Sequence, residues 1–204
     1  PDIFANNLFA VSAAMAAIPL LTDVYMSKGM QGFAVTGRRI VAAVMSVSVF
    51  MFVFTLIFRE WIIGLAGKGL DQGTAGLASR LLMVMLPMIL FFPLYSIGAS
   101  IANIQHSFIL PSAAPVVFNI VFITGIAVGL IFAGSTGDLV MIVSAAVVSG
   151  VAVMAVMVWA GIFRRGWLSV PADKPAEAAA PKKELIRYSR LLLQIGRAAC
   201  RESV

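Results

Sequence analysis

The sequence predicts an all-α protein, a polytopic membrane helix bundle. Three observations carry that reading. The chain is 61% hydrophobic and 12% charged over 204 residues. Its mean hydropathy is +1.00. Its apolar residues gather into runs long enough to cross a bilayer. Soluble domains are about 45–50% apolar and about 25% charged. A soluble core of this size could not hide so much apolar surface. In hydrocarbon the backbone must satisfy its own hydrogen bonds, so only helices and closed barrels span it. The strict alternation that a barrel strand requires is absent.

Five segments can cover about 30 Å of hydrocarbon at about 1.5 Å per residue. The first runs from Ile3 to Tyr25 and contains Pro19. Gly29, Gly32 and Gly37 in SKGMQGFAVTGRR mark a loop after it. The second runs from Ile40 to Leu65, with Trp61 near its end, where interfacial Trp is common. GKGLDQGTAG follows. The third covers Ala78 to Ile104. Pro87 and Pro93 should kink it, and Gly98, Ala99 and Ser100 thin it for close packing.

A corner holding Pro111 and Pro115 leads to the fourth segment, Ala114 to Phe132. Gly125 and Gly129 form a GxxxG there, a helix-packing signal. The fifth runs from Leu139 to Phe163, and Ser135, Thr136 and Asp138 are its N-cap candidates. The organisation expected is therefore five transmembrane helices over 1–163 and a Pro/Ala/charge-rich cytoplasmic linker over 164–183. A further helix should start over 184–194. Residues 195–204, IGRAACRESV, resemble the translation of a sequencing adapter and are expected to be a non-native tail. The single cysteine, Cys200, falls in it, so a disulfide framework is excluded. The chain opens on Pro1 with an apolar run and no signal peptide, and is expected to begin inside a longer protein.

The net charge is +6, from 15 Lys/Arg against 9 Asp/Glu. No basic stripe with interleaved aromatics appears, so nucleic acid is not an expected partner. The positive charge sets orientation instead. Lys28, Arg38, Arg39, Arg164 and Arg165, with the linker's lysines, lie on the first, third and fifth connections. Arg59, Lys68 and Arg80 lie on the second and fourth. The excess places the odd-numbered connections in the cytoplasm.

The sequence holds no metal-ligand spacing, nucleophile motif or phosphate loop, and no paired carboxylates inside the spans. No enzymatic activity and no cofactor are expected. His106 stands alone in the corner and reads as a solvated or hydrogen-bonded residue. Four amides inside the spans are the candidate binding residues: Asn6, Asn7, Asn103 and Asn119. Polar groups at membrane depth face the bundle interior or a water-filled cavity. They could line a cavity that receives substrate, or hydrogen-bond between helices and hold the bundle together.

The wording of the hairpin RLLMVMLPMILFFPLYSIGASIANIQHSFILPSAAPVVFNI resembles the MurJ/MviN family of lipid II flippases, in the MOP transporter superfamily. Arg80, Pro87, Gly98, Asn103, Phe108, Pro111, Pro115 and Asn119 carry the likeness. The first helix is similar to the family's second helix, including Pro1, Ala14 and Pro19. The resemblance implies two lobes of six helices plus two more around a central cavity. This chain would be an N-terminal lobe fragment: family helices two to six and the start of seven. The implied substrate is an undecaprenyl-linked peptidoglycan precursor, moved across the bacterial inner membrane by alternating access. Well-studied members carry an Arg-Arg pair and a downstream Glu in the second helix. Here those positions are Ala5, Asn6 and Ala10, so that cationic site is absent from this stretch. Another lipid-linked oligosaccharide as cargo, or a non-transporting scaffold, are the alternatives.

Overall fold

The computed structural model describes residues 2–66 and 72–169, with side chains described for 18–64 and 73–169. These residues form six helices, and no strand occurs among them. They are α1 (Asp2–Ile57), α2 (Arg59–Ala66), α3 (Gln72–Met85), α4 (Met88–Ile104), α5 (Ile109–Phe132) and α6 (Thr136–Arg164). Four stretches are long and apolar enough to cross a membrane: Ile18–Ile57, Gly73–Ile104, Ile109–Phe132 and Thr136–Arg164. The chain is a multi-pass membrane protein.

The first of these stretches has 40 residues, which would reach about 60 Å if straight. It is not straight. Gly29 has φ 64° and ψ −163° and breaks α1 into two arms. That backbone conformation belongs almost entirely to glycine. The arms fold back on each other. Leu21 Cδ2 lies 3.9 Å from where a Cβ on Gly37 would sit, although a straight helix would hold those positions roughly 24 Å apart. The rings of Tyr25 and Phe33 meet edge-on at 5.7 Å across the bend. The expected thirteen-residue loop is thus a one-residue break. Gly32 and Gly37 are helical, and they serve close approach to Val24 and Leu168 rather than chain reversal.

The third segment is also divided. Pro87 lacks an N–H, and it separates α3 from α4 through a short turn. The corner after α4 is tighter than the sequence suggests. His106 takes φ 55°, the left-handed cap position. Its N–H donates to the Asn103 carbonyl at 3.0 Å, and the Ser107 N–H donates to the Ala102 carbonyl at 2.9 Å. This pair of bonds is a Schellman cap, with His where Gly is usual. Helix α5 then begins at Ile109, five residues early. Pro111 sits in its first turn, where a missing N–H costs nothing. Of the three N-cap candidates for α6, Ser135 holds the position and its Oγ accepts from the Asp138 N–H at 3.2 Å.

Helix α6 is the central post, packing against α3, α4 and α5, while α4 also carries α1. The core joins Leu20, Leu21, Phe33, Ile40 and Val44 of α1 to Ile97 and Ile101 of α4. Ala114 of α5, Met154, Val158, Trp159 and Ile162 of α6, and Leu168 beyond it complete it. Missing side chains make these seams. At Gly98 a Cβ would lie 2.9 Å from Trp159 Nε1, and the indole uses that gap to donate to the Leu94 carbonyl at 2.9 Å. At Gly125 a Cβ would lie 2.0 Å from Ala146 Cβ, and at Gly150 one would lie 2.7 Å from Phe118 Cδ2. The GxxxG of α5 is therefore a packing surface against α6.

Gly125→Leu is expected to destabilise the full-length protein by about 1–3 kcal/mol, the usual cost of overpacking. Gly64→Ala, at a helical position with open space around it, should instead stabilise it by about 0.4–1 kcal/mol. Thermal unfolding of purified protein in detergent checks both.

Candidate functional site

Three connections meet at one end of the bundle. Gln105 Nε2 reaches Met30 Sδ at 3.8 Å, which ties the α4–α5 corner to the bend in α1. Arg165 donates to the Ser107 hydroxyl, which ties the end of α6 to the same corner. Ser107 is buried, so this bond satisfies a polar group that has lost its water. The Arg165 guanidinium lies 5.0 Å over the Trp167 ring, a cation–π contact. Lys28, Arg38, Arg39, Arg164 and Arg165 consequently belong to one basic end. Their sum is a local positive field, built from three connections far apart in sequence.

A cleft of about 310 Å³ opens at this end between the second arm of α1 and the end of α6. Arg38 stands among Val41, Ala42, Trp159, Ile162 and Phe163 in its lining. The cleft is apolar with a cation at its rim, a shape suited to an amphiphile.

The four candidate amides fare differently. The side chains of Asn6 and Asn7 lie outside the described residues, although their backbone is in α1. Asn103 is exposed in the last turn of α4. Asn119 is exposed in the middle of α5, among Val116, Ile120 and Ile123, which are exposed too. Neither amide makes a side-chain hydrogen bond to another described residue. Within these residues, then, neither acts as interhelical glue. Both point out of the bundle, and an amide exposed to hydrocarbon is costly.

Sequence reasoning missed a polar link in the same hairpin. Pro115 has no N–H to complete the helical bond to the Pro111 carbonyl. Tyr95 Oη of α4 donates to that carbonyl at 3.2 Å instead. The Pro-x-x-x-Pro spacing is itself the signal, because it frees the carbonyl four residues back. The Ser107–Arg165 link had no such signal, since nothing in the sequence pairs two positions on separate helices. Among the described residues no group of three or more His, Cys, Asp and Glu side chains could hold a metal ion.

A family model described as Lipid II flippase MurJ matches residues 2–188. The lipid II flippase MurJ of Thermosipho africanus (strain TCF52B) is 32% identical over 130 residues, which is 60% of this chain and 25% of that relative. The chain thus spans about a quarter of the length of the curated relative it matches. No solved structure matches the chain.

Asn119→Leu should leave the unfolding transition of the full-length protein within about 0.5 kcal/mol of wild type, because no bond is lost. A loss of more than about 1 kcal/mol would mark Asn119 as a bonded structural residue. Denaturation of the two purified proteins side by side measures this.

Proposed function

The chain belongs to the lipid II flippase MurJ family, and from that premise we propose that the full-length protein carries lipid II across the bacterial inner membrane. The observation that carries this reading is the family match over residues 2–188, which takes in the whole described bundle. The chain would supply most of the N-terminal lobe: five crossings over 1–163, a cytoplasmic linker over 164–183 and the start of the next helix over 184–194.

The physical problem is a pyrophosphate and sugars that must pass hydrocarbon. Charge at the bilayer centre costs several kcal/mol unless water or polar groups meet it. Exposed amides such as Asn119, pointing out of this lobe, would form part of a polar wall. Asn6, Asn7 and Asn103 are proposed for the same wall. Movement of one lobe against the other would open that wall to each side in turn. Ala5, Asn6 and Ala10 offer no cation, so this stretch would hold the pyrophosphate by amide hydrogen bonds alone. Another lipid-linked oligosaccharide as cargo is the alternative reading, and the family match favours lipid II over it.

Orientation follows from the basic end. Lys28, Arg38, Arg39, Arg164 and Arg165 would face the cytoplasm, where basic loops are retained.

The full-length protein is expected to restore growth to cells depleted of their own lipid II flippase. Stable insertion without rescue would set the lipid II assignment aside in favour of other cargo or a scaffold. For sidedness, a cysteine replaces His106 in full-length protein freed of its other cysteines. It should react with an impermeant maleimide only after the membrane is opened, and labelling in intact cells would invert the orientation.

A further inference from the structure

The end of the bundle opposite the basic connections holds a second charged cleft. The second arm of α1 separates the two ends by about 40 Å. The cleft has a volume of about 460 Å³ and lies between α2 and α3. Arg59, Glu60 and Ile63 line one side, and Ser79, Arg80 and Met83 line the other. Arg59 is held from both directions. Its Nε donates to Glu60 Oε1 at 3.1 Å, and its NH1 reaches Met83 Sδ at 3.3 Å. Arg80 has no hydrogen bond or ion pair to another described residue.

Among the described residues that line it, two guanidinium groups therefore share one cleft, and the one carboxylate is taken by Arg59. A guanidinium is a rigid fork of donors suited to phosphate oxygens, and Ser79 adds a hydroxyl. The surroundings point to a lipid rather than a dissolved ion. Ile63 and Met83 give the cleft apolar walls. Trp61, next to Arg59, is 64% exposed, as an interfacial anchor would be. The cleft also adjoins the end of one membrane-crossing stretch, Ile57, and the start of the next, Gly73. Lipid phosphates lie at that level of a bilayer.

We propose that the Arg59–Arg80 cleft binds the phosphodiester headgroup of an anionic membrane lipid, in the leaflet away from the basic end. The bound lipid is a resident of the outer face of this lobe, and its binding does not depend on what the protein transports.

The test uses full-length protein in nanodiscs of phosphatidylcholine doped with phosphatidylglycerol, stripped by detergent. Lipid mass spectrometry then counts the phosphatidylglycerol retained. Wild type should retain it selectively over phosphatidylcholine. Arg80→Gln and Arg59→Gln should lower retention about tenfold or more, the value of a charge-assisted hydrogen bond. Arg80→Lys keeps the charge but not the fork, so its retention should fall between wild type and Arg80→Gln. That ordering separates binding from loss of fold. Arg164→Gln, at the other end, should retain as wild type does. Equal retention by wild type and Arg80→Gln overturns the proposal. So does an equal fall in Arg164→Gln, which would mean general attraction to basic protein. Release of the lipid by inorganic phosphate also overturns it, because the cleft would then be a site for soluble anions.

Discussion

Lipid gives helices little reason to associate, because a hydrocarbon chain is as good a neighbour as a leucine. What remains is close contact and a small number of hydrogen bonds. The whole bundle depends on meeting that constraint, and it does so along α6. Gly98 lets Trp159 come close to α4 and donate to the Leu94 carbonyl. Gly125 and Gly150 bring α5 and α6 together at backbone distance. Dispersion between atoms falls off steeply with separation, so a gap of even half an ångström would forfeit much of it. The large apolar residues, by contrast, are mostly turned outward: Ile120, Ile123, Leu130, Ile131 and Phe132 of α5 are all exposed. In water that distribution would be a defect. In a membrane it is the solvated surface.

The same constraint explains why prolines are tolerated. A proline in a helix frees a carbonyl, and hydrocarbon offers that carbonyl nothing. The Pro111 carbonyl is met by Tyr95 from the neighbouring helix. The loss of one intrahelical bond thereby becomes a link between α4 and α5. At the corner below, Arg165 does comparable work for Ser107. These contacts join α4, α5 and α6 at the end where the basic residues collect.

Much of the fold was legible in the sequence because hydropathy over long windows reports the solvent directly. Long apolar helices could be read that way, the GxxxG face was legible as a motif, and the α6 cap was legible only as one of Ser135, Thr136 and Asp138. Glycine was the weak point. A glycine in a membrane helix can mean a left-handed backbone or a close neighbour, and the letter is the same. Gly29 is the first kind; Gly32 and Gly37 are the second, so a loop was expected where the helix continues. His106 misled in the other direction, since its cap geometry is one that sequence reasoning assigns to glycine. The candidate site was less legible. Asn103 and Asn119 could be named from their depth, but whether they faced neighbours or the outside needed coordinates. Arg59 was visible only as a charge to be counted and Arg80 as a charge and a residue of the hairpin's wording; their convergence across α2 and α3 is a property of the fold.

Gly29 gives the lobe an unusual mechanical character. A flexible loop between two helices lets them slide, spread or rotate independently. A single-residue joint has no slack, so the arms of α1 can change the angle between them but hardly their separation at the joint. Any displacement of the first arm becomes a torque on the second, delivered over a lever of 28 residues from Met30 to Ile57. α1 is thus two stiff arms on a point joint rather than two helices on a tether.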